Sequence, residues 1–441
     1  MKRFARYAFS IGAAAVFLAG CTLRQAQDDN AQGNNAQGDG ELPIGVQGGM
    51  QESRPETASS YQVLYRFDRY PNGEQPLAAL TDVGGVLYGT ASDGGVKGCH
   101  HRGGCGTFFS ITPNGTEKLL YDFTTSTGVY PISRLIDAKG TLYGTTYQGG
   151  PSAKGTVYRI STMGSESVLY NFRGLHDGAY PDAGVTYANG TFYGTNTYGG
   201  GRDGGTAYSV SSSGVHTVLH HFFGGYHDGY DPESGLINVK GTLYGTTKSG
   251  GGQNCRSARQ PGTHIHYGCG IVYSLTTSGK MTILHRFGRS STDGRFPEGD
   301  LLDVNGTLYG TTFGGGGTAC SGFGCGTVYS MTTSGAENVL YRFTGGADGQ
   351  HPAAGVIDVN GTLYGTTAEG GNAPSCYCGT VYSLTTSGVE SVLHSFAGGT
   401  DGMHPQAPLT PEKGTLYGTT VYGGELQKGG NCCGTIFALT P

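Results

Sequence analysis

The sequence predicts an all-β fold, a seven-bladed β-propeller with four antiparallel strands per blade, over residues 61–441. Three observations lead there. The string Leu-Tyr-Gly-Thr starts at Leu87, Leu142, Leu243, Leu308, Leu363 and Leu416, and Phe192 opens a seventh, variant copy. The repeats are centred on Tyr88, Tyr143, Tyr193, Tyr244, Tyr309, Tyr364 and Tyr417, spaced by 50 to 65 residues, a period that suits supersecondary units stacked on one another. The array also begins with one strand too many and ends with one too few.

Each repeat has the same grammar, clearest from Gly355 to Phe396. Val356-Ile357-Asp358-Val359 is a short apolar strand, A. Asn360-Gly361 turns it into strand B, Thr362-Leu363-Tyr364-Gly365-Thr366-Thr367. After a Gly-rich loop comes strand C, Gly379-Thr380-Val381-Tyr382-Ser383-Leu384, and Thr385-Thr386-Ser387-Gly388 turns it into strand D, Ser391-Val392-Leu393-His394-Ser395-Phe396. Asn189-Gly190, Asn305-Gly306 and Asn360-Gly361 are two-residue hairpin signals, because both turn positions require positive φ. No stretch of the repeat has helical period.

The two ends explain each other. Gln62-Val63-Leu64-Tyr65-Arg66-Phe67 reads as a D strand with no blade before it. Gly434-Thr435-Ile436-Phe437-Ala438-Leu439 reads as a C strand with no D strand after it. The first strand is therefore expected to complete blade 7. That closure removes the exposed edges an open array would leave, whereas a solenoid would need caps.

The Gly-Thr-Leu-Tyr-Gly-Thr-Thr and Gly-Thr-Val-Tyr-Ser-Leu strings resemble the GloVer tandem repeats of extracytoplasmic bacterial proteins, over essentially all of 61–441. The resemblance implies a propeller-like body and no agreed activity. Kelch repeats share the period and the Gly pairs, but this chain has no Trp.

Strand parity sorts the loops. A–B and C–D turns fall on one face, and they are tight. B–C loops and D–A crossovers fall on the other, which is where a specific ligand is expected. The same face holds the body cysteines, in pairs within single B–C loops: Cys99 and Cys105, Cys255 and Cys269, Cys320 and Cys325, Cys376 and Cys378, Cys432 and Cys433. In an oxidising compartment they read as disulfides, one bridge per loop for the first three pairs. A bridge closing the loop from Cys255 to Cys269 contributes ~3 kcal/mol, largely by restricting the unfolded chain. Adjacent cysteines have Cα atoms only ~3.8 Å apart, too close for an unstrained bridge. Oxidation of Cys376, Cys378, Cys432 and Cys433 is therefore expected with partners open, within a loop or between blades 6 and 7.

Acidic residues mark two zones. Asp177, Asp228, Asp293, Asp348 and Asp401 each begin an Asp-Gly in a crossover, with Pro three residues beyond the Gly, and either make the turn or bind cations or sugar hydroxyls. Directly after that Pro stand Leu77, Ile132, Asp182, Glu233, Glu298, Ala353 and Gln406, at the expected mouth of the central channel. Three consecutive blades place a carboxylate there, with Asp300 close by. Asp182, Glu233 and Glu298 are a candidate Ca²⁺ site, set against a solvated acidic mouth that needs no ion, and no other cofactor is implied. His264 and His266, in the longest loop, are either metal ligands or surface histidines.

Other chemistries leave no trace. No nucleophile elbow, Ser/Cys–His–Asp signature or phosphate loop is present; Gly314 to Gly317 open no helix. The net charge is −5, with no basic stripe, which excludes nucleic acid.

The N-terminus addresses the chain. A basic start through Lys2, Arg3 and Arg6, an apolar run from Tyr7 to Phe17, and Leu18-Ala19-Gly20-Cys21 describe a lipoprotein signal peptide over residues 1–20. Leu-Ala-Gly-Cys resembles the bacterial lipobox, which implies cleavage before Cys21, a lipidated thiol and a membrane anchor. Residues 21–60, rich in Gln, Asn, Asp and Gly, read as a disordered tether. Thr22 after the Cys points to the outer membrane. The functional expectation is a lipid-anchored module of the cell envelope, facing the periplasm or the cell surface. It would bind a glycan or an envelope protein rather than catalyse. The alternatives are a carbohydrate-active enzyme with carboxylates at the channel mouth, or a structural envelope protein with no specific ligand.

Overall fold

The computed structural model describes residues 59–68, 71–96, 98–99, 103–252, 255, 268–373, 376–424 and 433–441. Residues 1–20, expected as a signal peptide, Cys21, most of the expected tether, His264, His266 and Cys432 lie outside the described residues. The body is a seven-bladed propeller. Blade 4 is typical: strand A is Ile237–Val239, B is Thr242–Thr247, C is Ile271–Thr276 and D is Met281–Arg286, paired in that order. Blade 7 is assembled from both ends of the chain, with Ser60–Arg66 against Thr435–Thr440, then Thr415–Thr420, then Thr410–Glu412.

The closing pair repeats the geometry of the continuous blades. In blade 4, Val272 opposes His285 and Tyr273 opposes Ile283, so Leu284 is the extra residue of a bulge. At the closure, Phe437 opposes Val63 and Ile436 opposes Tyr65, so Leu64 takes that place. The same bulge recurs in every C–D pair, where it increases the local twist.

The repeated string has a physical reason. Its Gly opposes an aromatic of strand C: a Cβ on Gly144 would sit 2.7 Å from the Tyr158 hydroxyl. Its Tyr packs between blades, as Tyr244 does against Leu301, Leu308 and Tyr329 of blade 5. Its first Thr crosses to the next blade, where Thr145, Thr195 and Thr311 donate to the carbonyls of Ala183, Ser234 and Ala354 at 2.8–2.9 Å. Thr419 closes the ring by donating to Ala78 at 3.3 Å. Its second Thr pairs with the Thr that opens strand C, for example Thr312 with Thr327 at 2.8 Å.

Each crossover is clamped onto the B–C loop of the blade it enters, by the ribbon pairing Gly229–Tyr230 with Ser249–Gly250 in blade 4 and by single bridges such as Glu74 to Asp93 in blade 1. The residue before the crossover Pro then takes a positive φ, between 55° and 59°, at Gln75, Tyr130, Tyr180, Asp231, Phe296, His351 and His404. This left-handed backbone is held by a hydrogen bond to the preceding blade, such as Phe296 N–H to Cys269 O at 2.8 Å. Crossovers and B–C loops thus share one face and converge on the axis.

Candidate functional site

The start of every strand A points to that axis. Leu77, Ile132, Asp182, Glu233, Glu298, Ala353 and Gln406, one from each blade, line a single cavity of about 110 Å³, together with Asp300 and Arg134. Blades 3, 4 and 5 supply the acids, and the remaining blades supply an arc of apolar and neutral side chains together with Arg134 of blade 2. Asp300 is committed to the wall, because its Oδ1 accepts the Gly235 N–H at 2.6 Å and ties blade 5 to blade 4.

Lys248 organises the acidic side. It follows strand B of blade 4, and its Nζ lies 3.0 Å from Glu233 Oε2 and 2.8 Å from Glu298 Oε1. Burial alone would lower the Lys248 ammonium, but the two carboxylates outweigh it and hold the group charged well above its usual range. Lys248 thus places a positive charge between Glu233 and Glu298, two of the three carboxylates of the candidate Ca²⁺ set. Burial, then the neighbouring Glu233, pushes Asp182 up to about 8. Burial also raises Asp231 and Glu233, against the pull of Lys248. Near neutral pH Asp182 therefore stays largely protonated at the mouth, close to carboxyls that hold the Lys248 ammonium charged.

The crossover aspartates lie away from this mouth, at the outer ends of the D strands. Asp177, Asp228, Asp293, Asp348 and Asp401 accept backbone N–H groups from Arg173, Phe223, Arg289, Thr344 and Ala397 at 2.7–2.9 Å. The turn-making role accounts for those contacts. For Asp401, burial opposes the charge, but hydrogen bonds from His394 and Ala397 N–H prevail and hold the carboxyl below its usual range.

The disulfides stand behind the same face. Cys99 is joined to Cys105, Cys255 to Cys269, Cys320 to Cys325 and Cys376 to Cys378, and Cys433 is also disulfide-bonded. The pairing left open for Cys376 and Cys378 is thus local. In each case the carbonyl of the second Cys accepts a backbone N–H of the next crossover, as Cys325 does from His351 N–H at 2.8 Å. Blades without cysteines make the same bond through Lys154 and Gly204.

The model of the Gloeobacter/Verrucomicrobia repeat matches residues 47–259 and 257–441. The chain belongs to this family. No curated protein matches it. Among solved structures, this Gloeobacter/Verrucomicrobia repeat protein is similar to a PQQ-bound aldose sugar dehydrogenase of Streptomyces coelicolor, at 12% identity over 88% of this chain and 100% of that one, TM-score 0.42. It is also similar to a gluconolactonase of Xanthomonas campestris, at 14% identity over 66% of this chain and 82% of that one, TM-score 0.37.

Sequence reasoning missed Lys248, Asp231 and Arg134. Aligned by blade, the residue after strand B is Ser92, Tyr147, Thr197, Lys248, Phe313, Ala368 and Val421, so Lys248 is the one charge in that column. That departure from the repeat was the available signal.

Proposed function

We propose that the protein is an extracytoplasmic binding module, held at the membrane through a lipidated Cys21, whose channel mouth receives a neutral, hydroxyl-rich ligand such as the end of a glycan. One observation carries the ligand class: the acids of blades 3 to 5, two of them held by Lys248, share one cavity with Arg134, Leu77, Ile132 and Ala353. Sugar hydroxyls both donate and accept, which suits a mixed set of charged and protonated groups, while the C–H faces of the ring suit the apolar arc. Four acidic side chains line the cavity, Asp182, Glu233, Glu298 and Asp300, against the single lining cation Arg134, which disfavours phosphates and other anions. The disulfides support an oxidising compartment.

Binding of neutral oligosaccharides, read on a glycan array and by calorimetry, should weaken at least fivefold from pH 6 to pH 9 as Asp182 ionises, and Asp182→Asn should flatten that profile. A preference for anionic ligands, or no glycan bound at any pH, would sink the reading. A protonated carboxyl among ionised ones is also what an acid catalyst needs, so release of cleaved sugar would move the protein to the carbohydrate-active enzymes. For the anchor, Cys21→Ala should leave the membrane fraction and lose the acyl mass at the N-terminus. Membrane retention of that variant together with an unacylated wild type would exclude lipidation.

A further inference from the structure

The outer rim carries a second, independent feature. Wherever one blade meets the next, three side chains meet: a Tyr or His of strand D, a crossover residue, and a residue at the start of the following D strand. In the sibling sets the strand D side chain has a hydrogen-bond partner inside the set, although Glu166 Oε1, Glu390 Oε1 and His216 Nε2 are left without one. Tyr121 donates to Glu166 at 3.1 Å, and Tyr341 donates to Asp348 at 3.1 Å beside Glu390. Tyr170 donates to Asp177 at 2.7 Å, while His216 lies 3.2 Å from the same carboxylate. His220 holds Asp228 at 3.1 Å, with apolar Met281 in the third place. His394 holds Asp401 at 3.2 Å, with Tyr61 stacked on its ring.

The set between blades 4 and 5 differs. It consists of His285, Asp293 and Glu337, three metal-ligating side chains. His285 Nε2 stands 3.7 Å from Asp293 Oδ1, beyond hydrogen-bond reach. His285 Nε2, Asp293 Oδ1 and Glu337 Oε1 are all buried without a hydrogen-bond partner, and one ligand atom from each of the three residues lies within 4.8 Å of the others. The Asp293 side chain is only 8% exposed, so water does not solvate the orphaned oxygen freely. His285 and Asp293 form at most a stretched ion pair, and three buried ligand atoms without a hydrogen bond are costly unless something positive joins them.

We propose that His285, Asp293 and Glu337 bind a divalent transition metal that clamps blade 4 to blade 5. One imidazole and two carboxylates are a donor set for zinc, and the imidazole sets it apart from a calcium site. The ion joins a D strand, a crossover and the next D strand, the places that tyrosine hydroxyls join in blades 1 and 5. This rim site is independent of the ligand reading at the channel mouth.

The test is zinc titration of the EDTA-stripped mature chain, followed by native mass spectrometry and thermal melting. Wild type should take up one Zn²⁺ and melt several degrees higher with it. The sibling blades supply replacements that their own rims accept: His285→Tyr, after Tyr341, and Glu337→Met, after Met281. Both should weaken zinc binding at least tenfold and abolish the thermal gain. Glu337→Gln, nearly isosteric, covers the case in which either fails to fold and should lose the ion likewise. His264→Ala combined with His266→Ala should bind as wild type does. No metal taken up by wild type from zinc, cobalt or manganese would overturn the proposal. So would zinc uptake that survives His285→Tyr and Glu337→Gln, or that disappears with His264 and His266.

Discussion

Deleting residues 61–67 should prevent folding of the body or leave it aggregated, an effect out of proportion to seven residues at one end. Those residues contribute most of strand D of blade 7. Their removal strips Thr435–Leu439 of its outer partner along a register running from Tyr61–Leu439 to Arg66–Thr435. It also removes Phe67, fully buried against Phe109, and Tyr61, which stacks on His394 with ring centres 3.5 Å apart. Losing one buried Phe typically costs about 3–5 kcal/mol, and a domain is stabilised by only about 5–15 kcal/mol. The deletion adds an unpaired edge to that loss. A shortened tether lacking residues 25–55 is the control and should melt like the parent, since that composition offers little apolar surface to bury. Gln62 opposes Ala438, so Gln62→Cys with Ala438→Cys should crosslink in the folded chain. A deletion variant with an unchanged melting curve, together with no crosslink, would mean that the ring is not closed by this strand.

That closure was legible because a four-strand grammar leaves a visible remainder at each end. The channel mouth was legible for a related reason: a fixed offset after Pro, applied seven times, places seven side chains on one axis. What escaped were departures from the grammar and contacts that cross blades. Lys139, Lys240 and Lys413 adopt the left-handed turn with φ of 60°, 52° and 46°, although lysine does not advertise it as Asn does. There the Gly that follows and the twist of the two strands set the turn. The two threonines of each repeated string looked like ordinary β-formers. Their hydroxyls in fact bond the next blade and the next strand, which only the packed ring reveals. The rim sets alternate among Tyr, His, Asp and Glu, so no single residue type repeats often enough to be noticed. Lys248 interrupts an otherwise uncharged column, and a departure carries information only once the blades are aligned.

Lys248→Met should destabilise the body by about 3 kcal/mol at pH 8, the range expected when one member of a buried ion pair is removed. The Lys248 side chain is 28% exposed and those of Glu233 and Glu298 are 18% and 17% exposed, so solvent replaces little of the lost charge. In the variant, Glu233 and Glu298 would face each other, Asp182 and Asp231 with no ammonium among them. Their folded-state affinities for protons, already raised by burial at Asp182, Asp231 and Glu233, would rise further. A carboxyl raised in the folded state binds more protons there than in the unfolded chain, so stability falls as pH climbs from the ordinary carboxylate range toward the folded value. The gap between wild type and variant should therefore be small at pH 5 and widest at pH 8 to 9, measured by urea unfolding at each pH. Asp182→Asn in the wild-type background should do the reverse, gaining stability above pH 8, where the parent carries an ionised Asp182. Adding Glu298→Gln to Lys248→Met should recover part of the loss, because it removes one of the charges left unpaired. If Lys248→Met is equally destabilising at every pH, what was lost is the packing of the lysine stem rather than its charge.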